Sequence, residues 1–430
     1  MSAAPLKVAI AGLGTVGTGV AKVLLGRGDA LRARAGRGIA FTAFSAHDIS
    51  KASALNLTGV KREADPQALA HGDADVVVEL MGGEGGAAKH LVESALKAGK
   101  HVVTANKALL AHHGAALAPL AEDRGVALKF EAAVAGGIPI VKALREGLIA
   151  NPISAVRGIL NGTCNFILTQ MEATGRPFAD VLAEAQRLGY AEADPTLDVG
   201  GGDTAHKLTL LASLAFGTVP YLHAVTVTGI QKISAADIAF AREFGYRVKL
   251  LGIARATDKG IEQTVNPAMV KAGTPLADVD GSFNAVVADC GDADKYFFEG
   301  RGAGQGPTAS AVVADIVDIA RGNIGAVFGI PAAQLRHAHT IAPGARVSAY
   351  YLRFQVLDVP GVMAEISRKL ANEGVSIESM LQRGRAPGEP VAIVMITHET
   401  QQDAVARALK AIAASDKVFE APCMIPMEAA

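Results

Sequence analysis

Lys7-Val8-Ala9-Ile10-Ala11-Gly12-Leu13-Gly14-Thr15-Val16-Gly17 decides the fold. The first five residues read as a short buried strand and a helical pattern follows through Leu25, so the GxGxxG spacing falls where a strand turns into a helix. Each glycine there has its own task. Gly12 permits the tight turn, Gly14 lets a pyrophosphate approach the backbone, and Gly17 lets the helix lie close to the strand, with Leu13, Thr15 and Val16 completing the turn. The stretch predicts a dinucleotide site at a helix N-terminus.

A second strand, Ile39 to Phe44, ends where a ribose would lie. An acid at that place favours a free 2′-hydroxyl and cations favour a 2′-phosphate. The chain offers both, Asp48 beside His47 and Lys51, so NAD and NADP stay open. The basic, glycine-rich Gly26 to Gly38 reads as a solvated connection; without interleaved aromatics it is no nucleic-acid patch. Strands at Ala74–Leu80, His101–Thr104 and Val126–Phe130 alternate with helices at Ala87–Ala98 and Ala108–Arg124. That order is α/β and predicts a Rossmann-like, doubly wound parallel sheet with its ligands at the carboxyl ends of the strands. Thr104 and Lys107 stand at one such end.

With 430 residues the chain has room for two or three domains. Half of it is hydrophobic, 19% is charged and the net charge is -1, which excludes a disordered chain and gives no reason to expect nucleic acid. Cys164, Cys290 and Cys423 are scattered, which predicts a reducing compartment and no zinc site. No apolar run reaches the roughly 20 residues of a membrane span, and no charged-then-apolar leader precedes Leu6. The expectation is a soluble, cytoplasmic protein without a membrane partner.

Phe130 to Ile140 combines small residues, paired glycines and Glu131. Oxygen-only surroundings of this kind suit a hard cation, but from the residues alone a plain domain-crossing turn is the better reading. Ile159 to Leu168 runs from a strand through a polar turn into a helix that Thr163 or Asn165 would cap. After a helix at Phe178–Leu188 comes the densest chemistry, Glu192, Asp198, Gly200-Gly201-Gly202, Asp203 and Lys207. Asp203 and Lys207 are four apart and share a face if the segment is helical. Acids held against a lysine suit a zwitterionic amino acid whose oxygen must be protonated. A surface salt bridge would explain the Asp203–Lys207 pair, but not the glycine run.

Further on, Pro220–Ile233 reads as a strand region, Ala235–Phe244 as a helix, and Val248–Ala254, Ile261–Val265, Phe283–Ala288 and Lys295–Phe298 as strands of an open sheet. Gly300–Thr308 opens a helix that runs to Ala320. A linker at Pro331–Arg346 is followed by strand Tyr350–Val356, a helix to Glu373, strands Val375–Leu381 and Val391–Thr397 around a loop Arg383–Pro390, helix Thr400–Ala414 and strand Lys417–Met424. The order is βαββαβ.

In sequence order, Gly12–Gly17, Thr104-Ala105-Asn106-Lys107, Val134-Ala135-Gly136-Gly137-Ile138-Pro139, Asn161-Gly162-Thr163-Cys164-Asn165 and Gly189–Lys207 closely resemble the signatures of homoserine dehydrogenases. The last third resembles an ACT domain. The resemblance implies a nucleotide domain at 1–133 to which 300–325 returns, an α+β catalytic and dimerisation domain at 134–335, and an ACT regulatory domain at 346–430. It implies reversible NAD(P)H-dependent reduction of L-aspartate 4-semialdehyde to L-homoserine, in threonine and methionine biosynthesis. By similarity Lys207 is the proton donor and Lys107 lies between cofactor and substrate. Glu192, Asp198 and Asp203 hold the amino acid, and backbone near Gly304 and Gly306 touches the cofactor. Glu131 with main-chain oxygens of Val134, Gly136 and Ile138 resembles the family's monovalent cation site, often sodium. A homodimer or homotetramer is implied, as is an amino-acid effector, threonine, at the ACT domain.

Two positions depart from the pattern. His47 stands where many relatives carry arginine, which bears on the choice of NADP. Cys164 stands where a second threonine is common, which raises a rival reading, an acylating semialdehyde dehydrogenase with Cys164 as nucleophile. A non-catalytic amino-acid sensor is the third reading; intact Lys107, Glu192, Asp203 and Lys207 argue against it.

Overall fold

The computed structural model describes residues 4–383 and 389–428, and most of the predicted loop Arg383–Pro390 lies outside them. The first sheet contains β1 (Leu6–Ala11), β2 (Ile39–Ser45), β3 (Lys61–Glu63), β4 (Val76–Glu79), β5 (His101–Thr104) and β6 (Leu128–Lys129). They are parallel, in the order β3-β2-β1-β4-β5-β6. Helices cover both faces, so β4 is buried throughout, three valines followed by Glu79 at its carboxyl end. Strand order reverses beside β1, and the glycine turn sits at its carboxyl end.

A distant helix, Gln305–Ala320, completes this layer. It packs on the Thr15–Gly26 helix so closely that a Cβ on Gly19 would fall 2.8 Å from Gln305 Cγ. Between β1 and β2 the structure corrects the sequence reading. Gly28–Ala35 is a helix ended by Gly36 at φ 75°, because its alanines and arginines are good helix formers despite the flanking glycines.

The second layer contains β7 (Ala155–Ile159), β8 (Thr226–Val227), β9 (Tyr246–Thr257), β10 (Gly260–Lys271), β11 (Phe283–Asp289) and β12 (Lys295–Arg301). β9 and β10 form a hairpin paired from Gly260↔Thr257 to Lys271↔Tyr246, longer than the alternation predicted. The predicted strand region at Pro220–Ile233 shrinks to the two residues of β8, since the rest bends around the Gly200–Gly202 loop instead of following a strand edge.

The C-terminal unit holds β13 (Val347–Ser348), β14 (Tyr350–Leu357), β15 (Ile377–Gln382), β16 (Pro390–Thr397), β17 (Thr400–Gln401) and β18 (Cys423–Glu428). Its last strand lies later than the predicted Lys417–Met424, because pairing on both sides fixes it: β14 antiparallel and β10 parallel. That parallel pair fuses two layers into one ten-stranded sheet, β12-β11-β7-β9-β10-β18-β14-β16-β15 with β8 beside β10. Buried ion pairs reinforce the joint. Arg353 Nε lies 2.7 Å from Asp237 Oδ1, and Arg346 Nε lies 3.3 Å from Glu262 Oε1 of β10. Among the described residues no helix is long and apolar enough to cross a membrane.

Candidate active site

The site is built on glycines that allow backbones to touch. Gly201 has φ 88° and a Cβ there would fall 2.9 Å from Val227 Cγ1, while one on Gly200 would fall 2.5 Å from the Thr196 carbonyl. The run therefore folds tightly between the short helix Thr196–Val199 and the long helix Gly202–Phe216. That turn sets Asp198 and Asp203 side by side.

Asp203 is the hub. Lys207 Nζ donates to its Oδ2 at 2.7 Å and to the Leu160 carbonyl at 2.6 Å. Lys107 Nζ, at the first residue of the Lys107–Asp123 helix, lies 3.1 Å from Asp203 Oδ1. Asn161 Nδ2 donates at 2.7 Å to both Asp203 Oδ2 and Asp198 Oδ1. Burial alone would raise the Asp203 carboxyl, but Lys207 and then Lys107 outweigh it and hold the group well below the usual carboxylate range. The two lysines diverge. Asp203 keeps Lys107 charged to higher pH than usual, whereas burial, helped by Lys107, lowers the Lys207 ammonium below its ordinary value. Burial raises Asp198. Unlike an exposed i,i+4 pair, Lys207 and Asp203 have side chains only 11% and 6% exposed.

These side chains line a cavity of about 560 Å³ whose far side is Val16 of the nucleotide turn and Gly304. The turn fits a dinucleotide. Gly12 takes φ 98° with its Cβ position 2.7 Å from the Leu80 carbonyl, a Cβ on Gly17 would sit 1.9 Å from the Gly12 carbonyl, and Gly14 faces open space. Leu13 is buried beneath the turn and Thr15 Oγ1 accepts from Lys51 Nζ at 3.0 Å.

Other expected site residues lie elsewhere. Thr104 is buried, its hydroxyl donating to Glu79 Oε2 at 2.7 Å and accepting from Asn106 N, which shapes the loop before Lys107. Gly306 is the second residue of its helix and lines a different cavity. Glu192 is exposed at the rim, near enough for its charge to act on Lys107.

Glu131 is buried, its two carboxylate oxygens accepting from the amides of Val141 and Lys142. Burial and neighbouring Asp315 raise it to about 7. Ala135 and Gly136 turn left-handed, at φ 52° and 50°. No main-chain N–H of the described residues donates to the Val134 or Gly136 carbonyl, while that of Ile138 accepts from Ile140. An under-compensated acid with free main-chain oxygens fits a monovalent cation. Among the described residues no cluster of three His, Cys, Asp or Glu side chains could hold a metal ion.

Sequence reasoning missed Asn161, Asn284 and Arg301. Asn161, not Thr163 or Asn165, caps the Gly162–Thr174 helix, accepting from Cys164 N at 2.8 Å while its amide orders both acids. Asn284, 1% exposed on apolar β11, lines the cavity with both amide atoms unpartnered among the described residues. A polar residue within an apolar strand was the available signal. Arg301 lines the same cavity, its guanidinium 5.2 Å from the centre of the Phe283 ring.

The acylating alternative fails on geometry. Cys164 is fully buried, its thiol donates to the Asp198 carbonyl at 3.3 Å, and burial pushes it well above the ordinary thiol range. A thioester-forming cysteine needs a reachable thiolate.

Comparison with known proteins agrees with this geometry. The family models for the homoserine dehydrogenase NAD binding domain, homoserine dehydrogenase and the ACT domain match residues 12–131, 139–317 and 350–415. Homoserine dehydrogenases of Neisseria gonorrhoeae and Pseudomonas aeruginosa are 47% and 44% identical to the chain, over 99% and 96% of both partners. A solved homoserine dehydrogenase from Thiobacillus denitrificans superposes with a TM-score of 0.93 at 43% identity, covering 99% of this chain and 98% of that one. A hyperthermophilic archaeal homoserine dehydrogenase in complex with NADPH superposes with a TM-score of 0.64 at 26% identity, covering 75% of this chain and 99% of that one. A glycine turn facing a lysine–aspartate cluster across one cavity, on a fold shared from end to end with these enzymes, places the chain in the homoserine dehydrogenase family of NAD(P)-dependent oxidoreductases.

Proposed function

We propose that Lys207 is the proton donor in the reduction of L-aspartate 4-semialdehyde to L-homoserine. The observation that carries this is its ammonium, held between Asp203 Oδ2 and the Leu160 carbonyl on the floor of the cavity that the nucleotide turn faces. When bound, NADPH supplies the hydride at the aldehyde carbon. The oxygen left behind carries the electron pair of the former carbonyl π bond and takes a proton from Lys207 Nζ. Lys107, kept charged by Asp203, stands between cofactor and substrate. Asp203 and Asp198, with Glu192 at the rim, receive the ammonium of the amino acid.

A monovalent cation, sodium, belongs to this reading. Glu131 and the main-chain oxygens of Val134, Gly136 and Ile138 would hold it, where its charge offsets the buried acids and stiffens the loop against Gly302. The three-part division at 1–133 with 300–325, 134–335 and 346–430, a homo-oligomer, and an ACT domain responsive to an amino acid such as threonine complete the reading.

Cofactor preference follows from the end of β2. Asp48 is turned onto Ser50, accepting from its N at 2.7 Å and its Oγ at 2.8 Å. Lys51 bonds Thr15 Oγ1 of the nucleotide turn, and Arg62 donates to the Ala46 carbonyl at 3.1 Å. With the acid engaged locally and two cations beside it, a 2′-phosphate is favoured over a free hydroxyl. Initial rates with the semialdehyde should show kcat/KM higher for NADPH than for NADH by about tenfold or more, the worth of one charge-assisted contact. Equal values would overturn the preference, and no oxidation of either cofactor would overturn the activity.

A further inference from the structure

The two charges of an amino-acid substrate sit on one carbon, so its carboxylate arrives close to wherever its ammonium is held. Asp203, Asp198 and Glu192 suit the ammonium and would repel a carboxylate left beside them. The cavity therefore needs a cation that is free to meet a further acid. Its lining carries three cations, Lys107, Lys207 and Arg301. Both lysines are committed, each to a different oxygen of Asp203, at 3.1 Å and 2.7 Å. Arg301 has no acidic partner among the described residues.

Its place on the wall is fixed without an acid. Arg301 ends β12 directly across from Phe283 at the start of β11, and its guanidinium lies 5.2 Å from the centre of that ring. A guanidinium held over an aromatic face keeps its N–H groups for partners in its own plane, where a carboxylate can meet them with both oxygens. The backbone around it is packed flush. A Cβ on Gly300 would fall 3.1 Å from Ile138 Cγ1, one on Gly302 would fall 2.2 Å from Asn284 Cγ and Nδ2, and Gly137 N donates to the Arg301 carbonyl at 3.0 Å. Between a glycine with little room and one with none, Arg301 is the side chain that reaches out. Asn284 is a second sign that this wall meets a polar ligand. It lies against Gly302, 1% exposed, with both amide atoms unpartnered among the described residues, and a buried amide is costly to leave so.

We propose that Arg301 binds the α-carboxylate of the substrate and so makes the enzyme selective for an amino acid over an amino alcohol or amino aldehyde of the same reach. The proposal rests on the dehydrogenase reading above. The carboxylate is at the far end of the substrate from the carbon that takes the hydride, so the contact is alike in the ground state and the transition state. Arg301 therefore acts on the KM of the amino acid and leaves kcat nearly unchanged. A cofactor phosphate offers an arginine oxygens of the same kind, and Gly304, beside the cofactor half of the cavity, follows Arg301 closely in the chain. The test separates the two sources.

Oxidation of L-homoserine by the full chain is measured beside its competitive inhibition by 3-aminopropan-1-ol, the same molecule without the carboxylate. Arg301→Met should raise the homoserine KM by about ten- to hundredfold, the range of a hydrogen bond to a charged group. The Ki of 3-aminopropan-1-ol and the KM of NADP+ should stay where they are. Arg301→Lys should recover part of the loss, because it keeps the charge and lacks the planar fork. An unchanged homoserine KM in Arg301→Met overturns the assignment. So does an equal rise for homoserine and 3-aminopropan-1-ol, which would make Arg301 a support of the wall, and so does a rise confined to NADP+, which would give the arginine to a phosphate. Calorimetric titration of homoserine into the unmodified chain and Arg301→Met reads binding apart from turnover. A chain that binds homoserine through Arg301 but oxidises none keeps this contact and loses the catalytic reading.

Discussion

Lys207→Ala should retain NADPH binding and lose turnover by about 10²- to 10⁴-fold, the range for a positioned general acid. The cofactor half of the cavity is formed by Val16, Gly304 and the glycine turn, none of which depends on Lys207. What the variant lacks is a proton at the oxygen as charge develops there. Lys107 cannot replace it, because Asp203 holds its proton more tightly than usual. Cofactor fluorescence titration beside steady-state kinetics separates the effects. Turnover within tenfold of the unmodified chain would remove Lys207 from the chemistry.

Asp203→Asn should be nearly as severe and act differently. Asparagine keeps the shape but removes the charge that two ammonium groups share, at 2.7 Å from Lys207 and 3.1 Å from Lys107. Breaking a buried pair by removing one partner costs about 3–5 kcal/mol, so kcat/KM should fall by about two to four orders of magnitude. Without Asp203 the Lys207 pKa loses the attraction that opposes burial and falls further. The acid of the reductive direction then gives up its proton at a lower pH than in the unmodified chain, and the substrate ammonium loses a partner. A fall in kcat with a rise in KM is the expected signature. An unchanged KM would show that Asp203 only positions Lys207.

The sequence revealed those features that physics ties to residue type. Gly12 and Gly17 were readable because a left-handed turn and a 1.9 Å approach admit nothing larger. Asp203 and Lys207 were readable because helical spacing puts positions four apart together. Lys107 was readable from its place after a strand. Asn161 was not, because a helix cap and a hydrogen bond to two distant acids leave no local pattern beyond one polar residue. Thr104 was assigned to the cofactor from its strand end, but its hydroxyl faces Glu79 inside the protein. The fusion of β10 with β18 was invisible, since a parallel pair between residues as far apart as Met269 and Met427 has no sequence period. The same long-range contact moved the last strand beyond its predicted start.

The most direct test of Lys207 as the proton carrier is the pH dependence of single-turnover rates in both directions. Burial lowers its pKa from the ordinary 10.5. Reduction needs the ammonium, so its rate falls as pH rises through that lowered pKa; oxidation of homoserine needs the free amine, so its rate rises over the same interval. The prediction is a pair of mirror-image limbs sharing one apparent pKa below 10.5 and absent from Lys207→Ala. Rates that move together with pH, or an inflection that survives in Lys207→Ala, would contradict it.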